Sequence, residues 1–311
     1  MAWYRKKLDL PASDADKSIF LDVDGAMSYA MVWLNGHLVG GWPYGYTSWR
    51  VDLTPYVVPG KQNQLAIRLD NPNDSSRWYS GGGIYRNVWL VKTSPVHVAH
   101  WGTYLTTPDV STSRATVGLE VTVDNDLDKA VTVQVATDLF AADPEGRRTG
   151  KPVARMTPAK ATIAPDGKEK VKGWATLSTP SLWGPPPTQT PHIYIAETTV
   201  SVDGKVLDRY ETRFGVRSLV FDGDQGLLVN DERIFIKGVN LHHDHGALGG
   251  AFNVRAARRH LEVLQEMGCN AIRTAHNPFA PEFYELTDAM GFLVMDEVFE
   301  VWTLKKPDLE F

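Results

Sequence analysis

Two periodicities divide this sequence, and the change between them limits the fold more than any other feature. As far as Gly215 the apolar residues recur at every second position in short runs separated by turn residues, the pattern of strands with one buried face. Beyond Gly215 the pattern becomes strand, helix, strand, helix, strand, which predicts a parallel α/β unit.

The first series holds "SIFLDVDG" (18–25), "AMVWLNGHLVG" (30–40), "NQLAIRLDN" (63–71) and "IYRNVWLVKTS" (84–94). Asn35-Gly36 between apolar runs is a strong hairpin signal, because both residues accept the positive φ that a two-residue turn needs. This series reads as a jelly-roll sandwich over 1–98. Its strand-like pattern is already running at Trp3, which leaves opening strands expected ahead of it. A second all-β series, 99–216, has turns at roughly ten-residue spacing and reads as an immunoglobulin-like sandwich. The Pro-rich "SLWGPPPTQTP" (181–191) is expected to be a long loop inside it.

From 217 to 311 "RIFIKGVNLH" (233–242) reads as one buried strand, "NAIRTAH" as a second and "FLVMDEVF" as a third. Between the first two, Val254, Ala257, Leu261, Leu264 and Met267 fall on one helical face, with Asn253 as N-cap and Gly268 as stop; "PEFYELTDAMG" is the second helix. The fold class expected is therefore multidomain β plus α/β: jelly roll, immunoglobulin-like sandwich, then the first part of a (β/α)8 barrel.

Composition narrows the function classes. With 43% hydrophobic and 22% charged residues the 311-residue chain has an ordinary globular balance, and a net charge of −5 gives no reason to expect nucleic acid or an anionic membrane as partner. No apolar run reaches the length of about 18 residues that a membrane span needs. The N-terminus lacks the apolar core of a signal peptide, which leaves a cytoplasmic and a periplasmic or secreted setting both open. The single cysteine, Cys269, excludes an internal disulfide.

Polar residues gather where the three strands of the parallel unit end. These are Asn240, His242, His243, Asp244 and His245; then Arg273, His276 and Asn277; then Asp296, Glu297 and Glu300. In a (β/α)8 barrel those ends face the active site. His243 and His245 alternate onto one side of an extended strand, a spacing that suits zinc in a barrel amidohydrolase. Glu297 and Glu300 have the residue types of a glycosidase pair, but such a pair straddles the scissile bond and normally comes from different strands. Arg273 suits either a structural ion pair or a guanidinium that orients a carboxylate. The Gly81, Gly82 and Gly83 run in "RWYSGGGIYRNVW" is read as a tight turn, since no Lys-Ser/Thr and no helix follow it.

Together these stretches resemble glycoside hydrolase family 2, the β-galactosidase and β-glucuronidase group. "VWLNGHLVGGWPYGYTSWRVDLTPYV" with "SRWYSGGGIYRNVWL" looks like the family's sugar-binding jelly roll, closest in style to its bacterial β-galactosidases. "FGVRSLVFDGDQGLLVNDERIFIKGVNLHHDHGALG" and "NAIRTAHNPFAPEFYELTDAMGFLVMDEVFEVW" are similar to its entry into the barrel and to the next two barrel strands. The resemblance implies retaining hydrolysis of terminal β-D-galactosides. It implies that His242 and His276 contact the sugar, that Arg273 steadies the nucleophilic glutamate, that Asp296 supports the site and that Asn71 falls where the jelly roll lends a polar side chain. Asn277 and Glu297 belong with these substrate-binding and supporting residues. No cofactor is expected: the magnesium ligands of some members are not matched by "EVFEVW". The resemblance places the acid/base and nucleophilic glutamates on later barrel strands, beyond Phe311. The expectation is therefore a partial chain with none of the catalytic carboxylates, inactive alone. A carbohydrate substrate and a homo-oligomer are the partners compatible with it. A non-catalytic carbohydrate-binding protein and the metal-dependent amidohydrolase stay open as alternatives.

Overall fold

A computed structural model of the chain describes residues 1–72 and 81–298. Arg77 and Trp78 of the glycine-run stretch, Glu300, and the segment that runs to Phe311 lie outside the described residues. The barrel portion expected over 217–311 is thus described as far as Val298. The described chain forms two compact units. One comprises Met1–Lys92, Gly238–Tyr284 and the residues after Leu293; the other comprises Thr93–Lys237 and Glu285–Leu293.

The first unit opens with the jelly roll. One sheet orders the strands Ala2–Asp9, Gln62–Leu69, Ala30–Leu34 and His37–Trp42; another orders Trp49–Asp52, Ser18–Val23 and Val88–Thr93. The alternation in the sequence is the burial pattern: along Gln62–Leu69 the residues Asn63, Leu65, Ile67 and Leu69 are buried and join Ile19, Leu21, Val32 and Leu34 in the core. The hairpin turn is as expected, with φ of +51° at Asn35 and +88° at Gly36. The Asn35 amide also donates to the Tyr56 carbonyl at 2.9 Å and to Asn63 Oδ1 at 2.8 Å, which ties the turn to the next strand.

The same unit holds the parallel sheet, all but the first residue of its third strand, ordered Gly238–Leu241, Ala271–Thr274, Leu293–Met295. Gly238 pairs with Ala271 and Leu241 with Thr274, so both strands end level. Helix α1 (Val254–Glu266) joins the first two strands, and α2 (Pro281–Met290) joins the second and third. Asn253 caps α1, its Oδ1 accepting from Ala256 N at 3.0 Å, and Gly268 ends the turn at φ +85°. Asn253→Ala should remove this cap and cost about 1 kcal/mol, read from the urea midpoint of the chain.

Two expectations need correction. The run 233–242 is not one buried strand. Glu232–Arg233 closes a small antiparallel meander with Leu219–Asp222 and Gly226–Val229, whereas Gly238–Leu241 starts the parallel sheet. Between them Phe235 is 65% and Ile236 59% exposed. An apolar run that serves two sheets must break where its hydrogen-bonding partner changes. The stripe on α1 is also buried only at its centre: Ala257 and Leu261 are covered, while Val254 and Met267 lie exposed at its ends.

The second unit contains the immunoglobulin-like sandwich. Val96–Val110, Arg114–Asn125 and Gly167–Ser178 form one sheet; Arg148–Arg155, Val131–Ala142, Tyr194–Val202 and Lys205–Phe214 form the other, with Ala159–Ile163 also pairing to Val131–Ala142. Alternate residues Ala115, Val117, Leu119, Val121 and Val123 fill the core with Val133, Leu139 and Ile163. Val96 and Val98 belong to this same core, within the unit that begins at Thr93. No helix among the described residues is long and apolar enough to cross a membrane.

Candidate active site

Five of the polar groups at the strand ends, Asn240, His242, Arg273, His276 and Glu297, form one connected cluster. Pairing of Asn240 opposite Arg273 brings the arginine Nη1 to 3.4 Å from Asn240 Oδ1. Arg273 then reaches across to the third strand end, its Nε donating to Glu297 Oε1 at 2.7 Å with Nη2 at 2.5 Å from the same oxygen. The other oxygen, Oε2, lies 2.9 Å from His276 Nδ1. A carboxylate held by a guanidinium and an imidazole is charge-assisted on both sides, and the imidazole is oriented by it in turn. The His242 ring stands edge-on to His276 with centroids 5.7 Å apart. Partial burial, then the neighbouring His276 and Arg273, hold the exposed His242 imidazole below its ordinary pKa, which favours its neutral form. A neutral imidazole can accept from, or donate to, a hydroxyl.

A second layer supports the first. Thr274 is fully buried; its hydroxyl donates to Asp296 Oδ1 at 2.7 Å and accepts from Glu297 N at 3.0 Å. Tyr284 donates to the same Asp296 oxygen at 2.6 Å, and burial together with that carboxylate holds its phenol protonated far above the usual tyrosine range. Asp296 is thus fastened from two sides at the third strand end.

Two further expected site residues are Asn277 and Asn71. Asn277 is 3% exposed, and its Oδ1 accepts from the Tyr44 hydroxyl of the jelly roll. Asn71 lies beside Gly82, where an added Cβ would stand 3.6 Å from Asn71 Cβ. Gly82 in turn lines a cleft of about 590 Å³ with Tyr46, Tyr85, His243, Asp244 and Ala251.

The histidine pair suggested for zinc does not converge. The first strand ends at Leu241, so alternation is not maintained beyond it. His243 packs on Phe279 with centroids 4.2 Å apart, while His245 stacks on His260 at 5.4 Å and meets Phe252 edge-on. Among the described residues no group of three or more His, Cys, Asp or Glu side chains is placed to hold a metal ion.

Family models match almost the whole length in three consecutive pieces: the galactose-binding-like domain of glycosyl hydrolase 2 over residues 1–81, glycosyl hydrolases family 2 over 96–217, and the family 2 TIM barrel domain over 222–305. The chain belongs to glycoside hydrolase family 2. It is 43% identical to the β-galactosidase BoGH2A of Bacteroides ovatus over 98% of its own length, and it spans 35% of that protein. A family 2 structure from Bacteroides cellulosilyticus superposes with a TM-score of 0.89 at 33% identity, covering 96% of this chain and 40% of that one. The Bacteroides uniformis β-glucuronidase 2, solved covalently bound to cyclophellitol-6-carboxylate aziridine, superposes at 0.83 with 29% identity, covering 95% of this chain and 36% of that one. The chain therefore spans little more than a third of the length of each of these relatives. Family membership, with the divergent histidines, removes the amidohydrolase alternative.

Sequence reasoning passed over four residues of this family 2 site. Tyr44 lies in a Gly- and Pro-containing stretch, Thr274 beside Arg273 at a strand end and Tyr284 within the second helix, and spacing alone does not mark the distant groups they meet. Arg86 stands inside the glycine-run stretch; its signal was a lone cation in a strand pattern that leaves it 8% exposed.

Proposed function

We propose that this chain forms the sugar-binding wall of a retaining β-galactosidase. The observation that carries the reading is the Arg273–Glu297–His276 cluster beside His242 at the level ends of the parallel strands. The likeness to a β-galactosidase at 43% identity supports the choice of sugar, and the covalently trapped B. uniformis β-glucuronidase supports double displacement. In that mechanism a carboxylate attacks the anomeric carbon as the glycosidic C–O bond breaks and an acid protonates the departing oxygen; water then displaces the enzyme carboxylate. Glu297 fits neither role, because both its oxygens are already bound by Arg273 and His276. Its part is to hold those two side chains, with Asp296 behind them. His242 and His276 would meet sugar hydroxyls. Arg273 would supply fixed positive charge toward a nucleophilic carboxylate contributed by barrel strands beyond Phe311. Asn277 serves as an anchor, and Asn71 as a rim contact of the neighbouring cleft.

The test is hydrolysis of nitrophenyl β-galactoside, with the glucoside, glucuronide and mannoside alongside, by a protein of the relatives' length that carries this chain. The galactoside should be preferred, and Arg273→Met should lower kcat/KM by roughly 10²-fold, the scale of losing one preorganised electrostatic group. Preference for the glucuronide would move the assignment to that activity. Sugar binding without turnover would restore the non-catalytic reading.

A further inference from the structure

Arg86 is a buried cation whose donors are directed at several separate pieces of backbone. Its Nη1 donates to the carbonyls of Asp24 at 3.1 Å and Tyr46 at 2.9 Å, both in the jelly roll. Its Nη2 donates to the carbonyl of Pro278 at 2.6 Å and lies 3.5 Å from His243 Nδ1. The guanidinium carbon stands 4.9 Å from the Tyr85 ring centre. Pro278 comes two residues after His276, and His243 directly follows His242. One side chain of the jelly roll therefore touches both loops that present His242 and His276.

The surrounding residues leave room for this contact. A Cβ on Gly25 would lie 2.7 Å from Arg86 Cδ and 2.9 Å from the Tyr85 ring, so a side chain there would occupy the arginine's place. Burying a guanidinium forfeits its hydration, and apolar residues of the same volume usually stabilise as well or better. What the planar fork adds is direction, since it serves several acceptors at fixed angles where an ammonium offers one nitrogen.

We propose that Arg86 is a positioning residue that holds the loops after the first two parallel strands, so that His242 and His276 stand side by side. That those histidines meet a sugar rests on the β-galactosidase reading; that Arg86 sets their relative placement does not.

The test uses histidine NMR on the 311-residue chain. The wild type should show an Overhauser cross-peak between the His242 and His276 rings. Arg86→Lys should remain folded by circular dichroism, lose that cross-peak and shift both ring resonances. Arg50→Lys, which alters a bidentate contact to Asp22 elsewhere in the jelly roll, should leave them in place. A folded Arg86→Lys chain that keeps the cross-peak would overturn the proposal. If Arg86→Lys does not fold, the wild-type guanidinium decides. Slowly exchanging protons with cross-peaks to the His243 ring support the role, and rapid exchange without them refutes it. None of these readouts involves turnover, so their failure and the failure of the glycosidase reading are separable.

Discussion

Replacing Trp183 by alanine should destabilise the second unit by about 3–5 kcal/mol, the range for deleting a large buried aromatic side chain. Trp183 is 2% exposed in the loop that precedes the strand Tyr194–Val202. Its indole N–H donates to the Asp288 carbonyl at 2.8 Å, and the Arg217 guanidinium lies over its ring at 4.4 Å. Its backbone N–H donates to Val216 at 2.8 Å, and its carbonyl accepts from the Asn230 amide at 2.9 Å. Gly215 allows the close approach: a Cβ there would stand 2.8 Å from Trp183 Cβ. Trp183→Phe keeps most of the packing and should lose only about 1–2 kcal/mol with the indole hydrogen bond. Urea titration followed by far-ultraviolet circular dichroism separates the two variants. Equal losses would mean that the hydrogen bond, not the packed ring, anchors the loop.

Acid should destabilise the first unit through His243. Burial, followed by the Arg86 charge, pushes its pKa down to about 3 from the ordinary 6.5. The unfolded chain takes up this proton near pH 6.5 and the folded chain only near 3, so between those values the unfolded state binds more protons. Stability is full above about pH 6.5 and is lost as pH falls toward about 3, by an amount on the order of 4 kcal/mol over the window. The Asp24 carboxyl, raised mainly by burial, acts in the opposite sense as it takes up a proton in the folded state first. His243→Phe, which keeps an aromatic ring against Phe279, isolates the histidine contribution. Its urea midpoint should fall less between about pH 7 and about pH 4 than that of the wild type. Parallel profiles would show that His243 carries none of the acid lability.

Much of this protein was legible in one dimension because it depends on local periodicity. Alternation marked the strands of both sandwiches, since a half-buried strand must place every second residue in the core. Asn35-Gly36 announced its hairpin and Asn253 its helix start, because each answers a backbone requirement within a few residues. The strand-end cluster of Arg273, His276 and Glu297 could also be read, because the ends of parallel strands share one side of the sheet. Tertiary structure alone decided what depends on distant partners. It split the apolar run 233–242 between two sheets, separated His243 from His245, buried Asn277 against Tyr44, and gave the otherwise unremarked Arg86 its contacts to both histidine loops. Those outcomes rest on hydrogen bonds and ring contacts between residues far apart in the chain, and neither spacing nor composition encodes which distant atom a polar side chain will meet.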